Sequence, residues 1–402
     1  MSTYKGADRI QILEESQAIA MTKRSRALKA EGKDVINLSI GEPDFDTPIH
    51  IRNAAIEAIR EGFTHYPPVA GIPDLRKAIS QKFQQENNLP YPPEQIMVST
   101  GAKQCIANVL HVLVNPGEEV IIPTPYWVSY SEIVKLTGGK SIFIEGDIKN
   151  DFKVTPEQIK AVLNPKSRVF IFSSPSNPAG TVYTREELDA FAELFAQYPN
   201  LYIISDEIYE YINFIGKHES IGANPDIFDK VITINGVSKG FAMTGWRIGY
   251  MGAPLWIAQA CEKYQGQFTS GACSIAQRAA LAAIAGDRTS CQEMNRIFGQ
   301  RKKLIVELAK QIPNIEINEP EGAFYLFPKI SYYLGTVTPS GKKIETSFDL
   351  CSFILEDTYV ALVDGGAFGS PEYFRISFAT HEDNIKKGMQ RIAESLSKLK
   401  KQ

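Results

Sequence analysis

The sequence has few cysteines, no long apolar run and no marked excess of one charge, and each absence excludes a class of protein. Its five cysteines are scattered and form no Cys-x-x-Cys pair, which argues against a disulfide framework and a zinc site and favours free thiols in a reducing compartment. No stretch approaches the roughly 18 consecutive apolar residues that a membrane span needs. The formal net charge of −3 gives no electrostatic reason to expect a nucleic-acid or membrane partner.

The length and the first residues bear on the number of domains and on the compartment. At 402 residues the chain exceeds the size at which a single hydrophobic core usually stops growing, so two domains are expected. The opening residues, MSTYKGAD, show neither the apolar segment nor the small-residue cleavage site of a secretory signal. We therefore expect a cytoplasmic globular protein without a bound metal, and without a nucleic-acid or membrane partner.

Between about residues 95 and 250, short apolar runs alternate with helical patterns. The predicted strands of this part are Ile96–Ser99, Glu119–Ile122, Val169–Ser173, Leu201–Ser205 and Val231–Asn235. The predicted helices between them include Lys103–Val114, Trp127–Leu136 and Arg185–Gln197. Continuous apolar strands separated by helices are typical of an α/β domain, in which a parallel sheet is covered on both faces and ligands bind beyond the carboxyl ends of the strands.

Residues 312–402 show a different pattern, which indicates a smaller α+β domain. Its predicted strands and helices are Ala323–Phe327, Tyr359–Val363, Phe374–Ala379, a helix near Phe348–Glu356 and a terminal helix from His381. A long predicted helix, Thr289–Gln311, leads into this part, and the first 50 residues, with a predicted helix at Ile19–Ala30, are expected to pack on it. We therefore predict a large domain of residues 51–292 and a small domain formed by residues 1–50 and 293–402.

The strongest chemical signal is the segment GVSKGFAMTGWRIG, residues 236–249, which follows the last of these predicted strands of the sheet. A lysine among small and apolar residues, as Lys239 is here, loses hydration, so its pKa falls and its amine becomes a nucleophile toward an aldehyde. Ser238 and Arg247 suit a phosphate group, because they offer a neutral hydroxyl and a planar cation that binds two oxygens. The alternative is a solvated lysine and a structural ion pair, but it leaves the pattern of all fourteen residues to coincidence.

This segment resembles the lysine motif of the class I aminotransferases of fold type I, and further matches extend over nearly the whole chain. These matches are most similar to the aspartate aminotransferase subgroup of bacteria and plants. The resemblance implies pyridoxal 5′-phosphate as the cofactor, carried covalently by Lys239. It also implies an α/β fold with a large cofactor-binding domain, built on a mainly parallel seven-stranded sheet covered by helices, and a smaller α+β domain.

Three residues of the implied site would contact the cofactor ring. Asp206 follows the apolar run Leu201–Ser205, and its carboxylate would pair with the protonated pyridine nitrogen, which makes the ring an electron sink. Tyr209 and Asn177, the latter in the turn SPSNPAG, would hydrogen-bond to the phenolate oxygen. The alternative for Asp206 taken alone is a helix N-cap.

The remaining cofactor contacts implied by the resemblance concern the phosphate and the ring face. The segment STGAK, residues 99–103, opens a predicted helix, and the backbone amides of Ala102 and Lys103 would bind the phosphate there. Trp127 would stack on the pyridine ring, with a purely structural core tryptophan as the alternative. Tyr66, in HYP, is similar to a family tyrosine that reaches the phosphate of the neighbouring subunit. If that role applies, each active site is shared across a homodimer.

The implied substrates are amino acids and 2-oxo acids, whose carboxylates need cations. Arg375, in YFRISF, matches the arginine that clamps the α-carboxylate bidentately, with a structural salt bridge as the alternative. The backbone of Gly41 would meet the same group. Lys103, helped by Ser16, would bind the side-chain carboxylate of aspartate or glutamate. The further residues expected at the substrate are Trp127 and Asn177.

The resemblance implies a ping-pong reaction in which L-aspartate and 2-oxoglutarate give oxaloacetate and L-glutamate, with Lys239 as general base and general acid. The chain departs from the subgroup at Gln17, where threonine is common, which leaves the substrate range open, and at Asp364, where proline is common. An aromatic, prephenate or broad-range aminotransferase is an alternative, as is a β-eliminating lyase on the same fold. A sensor domain of a transcription regulator would need a basic DNA-binding segment, which the sequence does not show.

Overall fold

The computed structural model describes residues 6–13 and 17–401. The strands of this part are β1 (Ile36–Asn37), β2 (Ile96–Ser99), β3 (Glu119–Thr124), β4 (Lys140–Glu145), β5 (Ser167–Ser173), β6 (Tyr202–Asp206), β7 (Val231–Gly236), β8 (Gly249–Gly252), β9 (Tyr325–Leu326), β10 (Val360–Ala361), β11 (Val363–Asp364) and β12 (Phe374–Ser377). The α-helices are α1 (Asp8–Gln11), α2 (Gln17–Ala30), α3 (Ile49–Arg60), α4 (Pro73–Asn87), α5 (Ala102–Leu113), α6 (Ser129–Thr137), α7 (Pro156–Val162), α8 (Arg185–Ala196), α9 (Leu255–Gly266), α10 (Ser274–Ala285), α11 (Thr289–Ala309), α12 (Ser347–Thr358) and α13 (Glu382–Ser397).

The centre of the fold is a seven-stranded sheet with the order β2-β8-β7-β6-β5-β3-β4. Neighbouring strands from β4 to β7 pair in parallel, whereas β8 pairs antiparallel with both β7 and β2. The predicted mainly parallel seven-stranded sheet is therefore confirmed. The carboxyl ends of β2, β5, β6 and β7 lie at one edge, where β8 begins opposite Ser99 and Gly236.

The central strands are apolar along most of their length because helices cover both faces of the sheet. In β6, Ile203 packs with residues of α7 and α8, whereas its neighbour Ile204 packs on the other face with residues of α5, α6 and α9. Side chains alternate between the two faces along a strand, so neither face of β6 is open to water. Burial of each such side chain contributes roughly 1.5–3 kcal/mol to the free energy of unfolding.

The remaining strands form two small sheets, an antiparallel one with the order β11-β12-β9 and a parallel pair of β1 with β10. Residues of α2, α11, α12 and α13 pack with these strands in one apolar cluster. The pairing of β1 with β10 joins the first 50 residues to the C-terminal part. This pairing supports the division that we propose, with residues 51–292 as one domain and residues 1–50 and 293–402 as the other.

Local sequence signals explain several element boundaries. The side chains of Thr184 and Glu187 form a capping box at the start of α8, and each accepts a hydrogen bond from the other's backbone. Asp364 accepts a hydrogen bond from the Ala367 amide at 3.1 Å and so caps the short 3-10 helix Gly365–Phe368. Within the described residues, no helix combines the length and apolar character needed to cross a membrane.

Candidate active site

A cavity of about 340 Å³ opens at the carboxyl edge of the large sheet. Eleven of the thirteen predicted site residues line it, namely Gly41, Ala102, Lys103, Trp127, Asn177, Asp206, Tyr209, Ser238, Lys239, Arg247 and Arg375. They come from distant parts of the chain because parallel strands bring their carboxyl ends together at one edge. Among the described residues, no group of three or more His, Cys, Asp or Glu side chains is placed to hold a metal ion.

Lys239 lies in the turn that follows β7, with the buried Ser238 before it. Its amine donates a hydrogen bond to the backbone oxygen of Gly41 and lies 5.7 Å from the centroid of the Tyr209 ring. Burial, and after it the charge of Arg375, lower the pKa of the Lys239 amine to about 8. A large fraction of the amine is therefore neutral, and nucleophilic, at pH 8.

Asp206 ends β6 and is almost completely buried. The Tyr130 hydroxyl donates a hydrogen bond to Oδ2 at 2.7 Å, and the Ile208 amide donates to Oδ1 at 3.3 Å. Burial raises the pKa of the Asp206 carboxyl to about 6, against the effect of the Tyr130 hydrogen bond. The segment after Asp206 is a turn and not a helix, so the N-cap alternative is wrong. A buried carboxylate with no ion pair among the described residues is suited to a cationic ligand group.

The start of α5 and the Arg247 side chain lie next to each other. A Cβ at Gly249 would collide with the backbone nitrogen of Ala102, and a Cβ at Gly101, whose φ is +86°, would collide with the Arg247 guanidinium. Glycine at these two positions thus lets β8 and Arg247 approach the N-terminus of the helix closely. Backbone amides, the positive end of the helix dipole and a guanidinium together form a site for an anion.

Lys103 and Trp127 line the cavity side by side, with the Lys103 amine 4.9 Å from the centroid of the Trp127 ring. Burial lowers the pKa of Lys103, and the charge of Arg247 lowers it further. Trp127 is half-buried and meets the Tyr130 ring edge to face at 5.5 Å. Its ring is therefore part of the cavity wall, which does not agree with the alternative of a tryptophan that only fills the core.

Arg375, in β12, is buried and lines the cavity. Nη1 donates to Asn177 Oδ1 at 2.9 Å and Nη2 donates to the Ser39 oxygen at 2.7 Å. The Tyr325 ring lies 4.4 Å from the guanidinium carbon. No carboxylate of the described residues pairs with Arg375, and its Nε has no partner there. The alternative of a structural salt bridge is therefore wrong, and the cation is available to an anionic ligand.

Two tyrosines of the site, Tyr130 and Tyr325, were not predicted from the sequence. The Tyr325 hydroxyl lies 2.7 Å from the Tyr209 hydroxyl, and a Cβ at Gly41 would collide with it. Tyr325 lies within a predicted apolar strand, where a tyrosine looks like a core residue. Tyr130 lies on α6 without any motif around it. The sequence offers one weak indication that Tyr130 belongs to the site, namely its position three residues after Trp127.

Two predicted site residues do not line the cavity. Tyr66 is 95% exposed, as expected for a residue that would act on a neighbouring subunit. Ser16 lies outside the described residues, and its predicted role stays a prediction. The effect of Gln17 on the substrate range also stays open, because the side chain of Gln17 is not described.

Comparisons with known proteins agree with this geometry. The family described as "Aminotransferase class I and II" matches residues 33–392. An aspartate/prephenate aminotransferase of Cereibacter sphaeroides is 44% identical over 96% of this chain and 97% of its own length, and an aspartate aminotransferase of Geobacillus stearothermophilus is 43% identical over 96% and 98%. The crystal structure of the Rhizobium meliloti aspartate aminotransferase superposes with a TM-score of 0.95 and 42% identity, covering 99% of this chain and 100% of that one. The chain is therefore a member of the class I and II aminotransferase family.

Proposed function

We propose that the protein is a pyridoxal-phosphate-dependent aminotransferase that converts L-aspartate and 2-oxoglutarate to oxaloacetate and L-glutamate. The observation that carries the proposal is one cavity lined by a lysine of lowered pKa and by a buried carboxylate and a buried arginine that have no ion pair among the described residues. Relatives that cover nearly the whole chain are named aspartate or aspartate/prephenate aminotransferases. These names support the choice of substrates.

The cavity residues fit pyridoxal phosphate. The amides of Ala102 and Lys103 at the start of α5, together with Ser238 and Arg247, would hold its phosphate. Gly101 and Gly249 let the guanidinium and β8 lie close to these amides, so the donors converge on one anion. Asp206 would pair with the protonated pyridine nitrogen, because this buried carboxylate has no cationic partner among the described residues. When bound, the cofactor supplies an electron sink for negative charge at the substrate Cα.

Further cavity residues would orient the ring of the cofactor. Trp127 would lie against its face, since its own ring is part of the cavity wall. Tyr209 and Asn177 would donate hydrogen bonds to the phenolate oxygen, and both have side chains in the cavity. Tyr325 fixes Tyr209 through the contact between their hydroxyl groups, and Arg375 fixes the Asn177 amide by donating to its oxygen.

Lys239 would transfer the proton in the reaction. Its neutral amine accepts a proton at Nζ from the substrate Cα and then donates it, as a general base followed by a general acid. A pKa of about 8 suits both steps, since neither form of the amine is rare near neutral pH. The hydrogen bond from Lys239 to the Gly41 oxygen places the amine beside the residue whose backbone we expect near the α-carboxylate.

Substrate carboxylates would bind to two separate cations. Arg375 would take the α-carboxylate common to all amino acids, since Asn177 and Ser39 hold its guanidinium in place and no described carboxylate pairs with it. Lys103, which lines the same cavity, would take the distal carboxylate of aspartate, glutamate or their 2-oxo acids. A site with two cations favours dicarboxylic over aromatic substrates.

We also propose a cytoplasmic homodimer in which Tyr66 completes the site of the other subunit. Tyr66 and Phe268 are 95% and 69% exposed, which is unusual for such large rings. Their segments adjoin, because Gly271 lies against Pro67. Helix α3 also exposes the apolar side chains of Ile49, Ile56 and Ile59. Four of the five cysteines are buried and all are free, which agrees with a reducing compartment.

An amino-donor panel tests the proposed reaction. The purified protein, supplied with pyridoxal phosphate, is assayed with single L-amino acids and 2-oxoglutarate, and with prephenate as an alternative acceptor for aspartate. We expect kcat/KM for aspartate to exceed that for phenylalanine and alanine by at least about 100-fold, because only aspartate engages both cations. Equal rates for aromatic donors would reject the aspartate assignment and leave the aminotransferase assignment intact.

A further inference from the structure

The 3-10 helix Gly365–Phe368, between β11 and β12, reaches the wall of the cavity. Its last residue, Phe368, lines the cavity and is 1% exposed. The Phe368 oxygen accepts a hydrogen bond from the Tyr126 amide at 3.1 Å, so the end of this helix is tied to the segment that carries Trp127. The function proposed above gives this helix no task.

The rings of Phe368 and Tyr325 both lie against the guanidinium of Arg375. The guanidinium carbon is 5.0 Å from the centroid of the Phe368 ring and 4.4 Å from the centroid of the Tyr325 ring. A cation is attracted to an aromatic ring at such distances. Asn177 and the Ser39 oxygen engage the two Nη atoms. A displaced Phe368 ring would therefore leave space in which the guanidinium can move.

Asp364 fixes the start of this helix from outside the cavity. It is 1% exposed, and its Oδ1 accepts a hydrogen bond at 3.1 Å from the amide of Ala367, the residue before Phe368. Its neighbour Val363 lines the cavity and Asp364 does not, as expected for successive residues of a strand. The other oxygen, Oδ2, has no hydrogen-bond partner among the described residues. The cap thus uses Oδ1, which an asparagine at this position would preserve.

We infer that Asp364 is a positioning residue for binding of the substrate α-carboxylate, because it holds Phe368 against Arg375. The inference rests on the function proposed above, in which Arg375 binds that carboxylate. A bidentate contact between a guanidinium and a carboxylate needs a fixed orientation, and a displacement of about 1 Å can cost roughly 100-fold. Loss of the cap should weaken the binding of every amino acid, whereas loss of Lys103 should affect dicarboxylic ones.

Binding of succinate to the protein loaded with pyridoxal phosphate tests the inference, because succinate has two carboxylates and no amino group to transfer. Isothermal titration calorimetry gives its Kd. We expect Asp364→Ala to raise this Kd about tenfold and Asp364→Asn, which keeps the acceptor for the Ala367 amide, to stay within about twofold of the wild type. Asp147→Ala is the matched control and should leave the Kd unchanged, since Asp147 caps another 3-10 helix, Ile148–Asn150, and does not line the cavity.

Steady-state kinetics give a second readout, which a mere loss of stability would not produce. Asp364→Ala should raise KM about tenfold for aspartate and for alanine alike, with little change in kcat, because the α-carboxylate is bound in the ground state and in the transition state. The affinity for pyridoxal phosphate should stay within about twofold of that of the wild type, since the residues proposed to hold the cofactor do not contact Asp364.

An unchanged Kd for succinate in Asp364→Ala would make Asp364 a structural cap only and overturn the inference. Equal losses of succinate and cofactor affinity would indicate a general loosening of the site and overturn it too, as would a wild type that does not bind succinate. If Asp364→Ala does not fold, Phe368→Leu decides, because it removes the ring and keeps an apolar side chain. We expect it to raise the Kd about fivefold, and an unchanged Kd would reject the inference.

The inference and the proposed function can fail separately. Amino-group transfer from aspartate, with a Kd and a KM that do not respond to Asp364→Ala, would reject the inference alone. A protein that transfers no amino group but binds succinate about tenfold more weakly in Asp364→Ala would reject the proposed function and keep Asp364 as the residue that positions Arg375 for a carboxylate.

Discussion

Lys239 is the side chain on which the proposed chemistry depends, and its surroundings set the pH at which it acts. Burial and the neighbouring arginine lower the pKa of its amine to about 8, and the protonated form below that pH has no lone pair for the cofactor aldehyde. The rate at which the apoenzyme recaptures pyridoxal phosphate should rise by about tenfold per pH unit below 8 and level off above it. Stopped-flow absorbance measures this rate. A rise that continues to pH 10 would show an unperturbed lysine.

Lys103 should decide between dicarboxylic and other amino acids. A distal carboxylate in the cavity is largely desolvated, so the loss of its cation in Lys103→Ala should cost about 2–4 kcal/mol, or roughly 30- to 1000-fold in kcat/KM, for aspartate and glutamate. Alanine and phenylalanine lack this group and should change little. Arg375→Ala is the matched control and should impair every amino acid, because all present an α-carboxylate. Uniform loss in Lys103→Ala would instead make it a cofactor residue.

The charged site residues that lie in recognisable motifs could be predicted from the sequence. The tyrosines that hydrogen-bond to site residues could not. Lys239 was predicted from the small and apolar residues around it, whereas the roles of Asp206 and Arg375 were predicted from motifs that resemble those of the family. Tyr130 and Tyr325 were missed, since a tyrosine in an apolar segment is equally compatible with packing. Their partners, Asp206 and Tyr209, are 76 and 116 positions away in the sequence. These residues come into contact only in the folded protein.

Among the elements, the start of α5 depends on its contact with β8. Gly249→Ala puts a methyl group against the backbone nitrogen of Ala102 and must displace one of the amides that we expect to bind phosphate. We predict a loss of about 10- to 100-fold in affinity for pyridoxal phosphate, the cost of a displacement of about 1 Å. Equilibrium dialysis against the cofactor measures it. Gly245→Ala, in the Lys239 loop but with open space around it, is the control and should bind normally.

Most strands buried on both faces were predicted within a few residues, but the equally buried β8 and the edge strand β4 were not. β5, β6 and β7 are short and mostly apolar, a pattern that is typical of strands covered on both faces. β4, at the edge of the sheet, has a mostly exposed or half-exposed surface and was missed. The predicted strand Ala323–Phe327 is only Tyr325–Leu326, and Tyr359–Val363 is divided into β10 and β11. Such short strands depend on their partners, which the local pattern does not specify.

For the whole molecule, we predict a dimer whose sites depend on both chains. Sedimentation equilibrium should give twice the mass of one chain. Tyr66→Phe should keep the dimer and lower the affinity for pyridoxal phosphate by about tenfold, because one hydrogen bond to a charged phosphate is lost. A monomer, or a Tyr66→Phe protein with unchanged cofactor affinity, would contradict the shared site. The exposed Tyr66 ring would then need another explanation.

The most direct test of the central claim is the absorbance spectrum of the purified protein with pyridoxal phosphate, recorded before and after addition of L-aspartate. In the wild type we predict a visible band that shifts to the near-ultraviolet with aspartate and returns with 2-oxoglutarate. Lys239→Ala should bind the cofactor but make this conversion about 10⁴-fold or more slowly, because nucleophile and proton carrier are lost together. A protein that takes up no cofactor, or a Lys239→Ala variant that converts as fast as the wild type, would contradict the account.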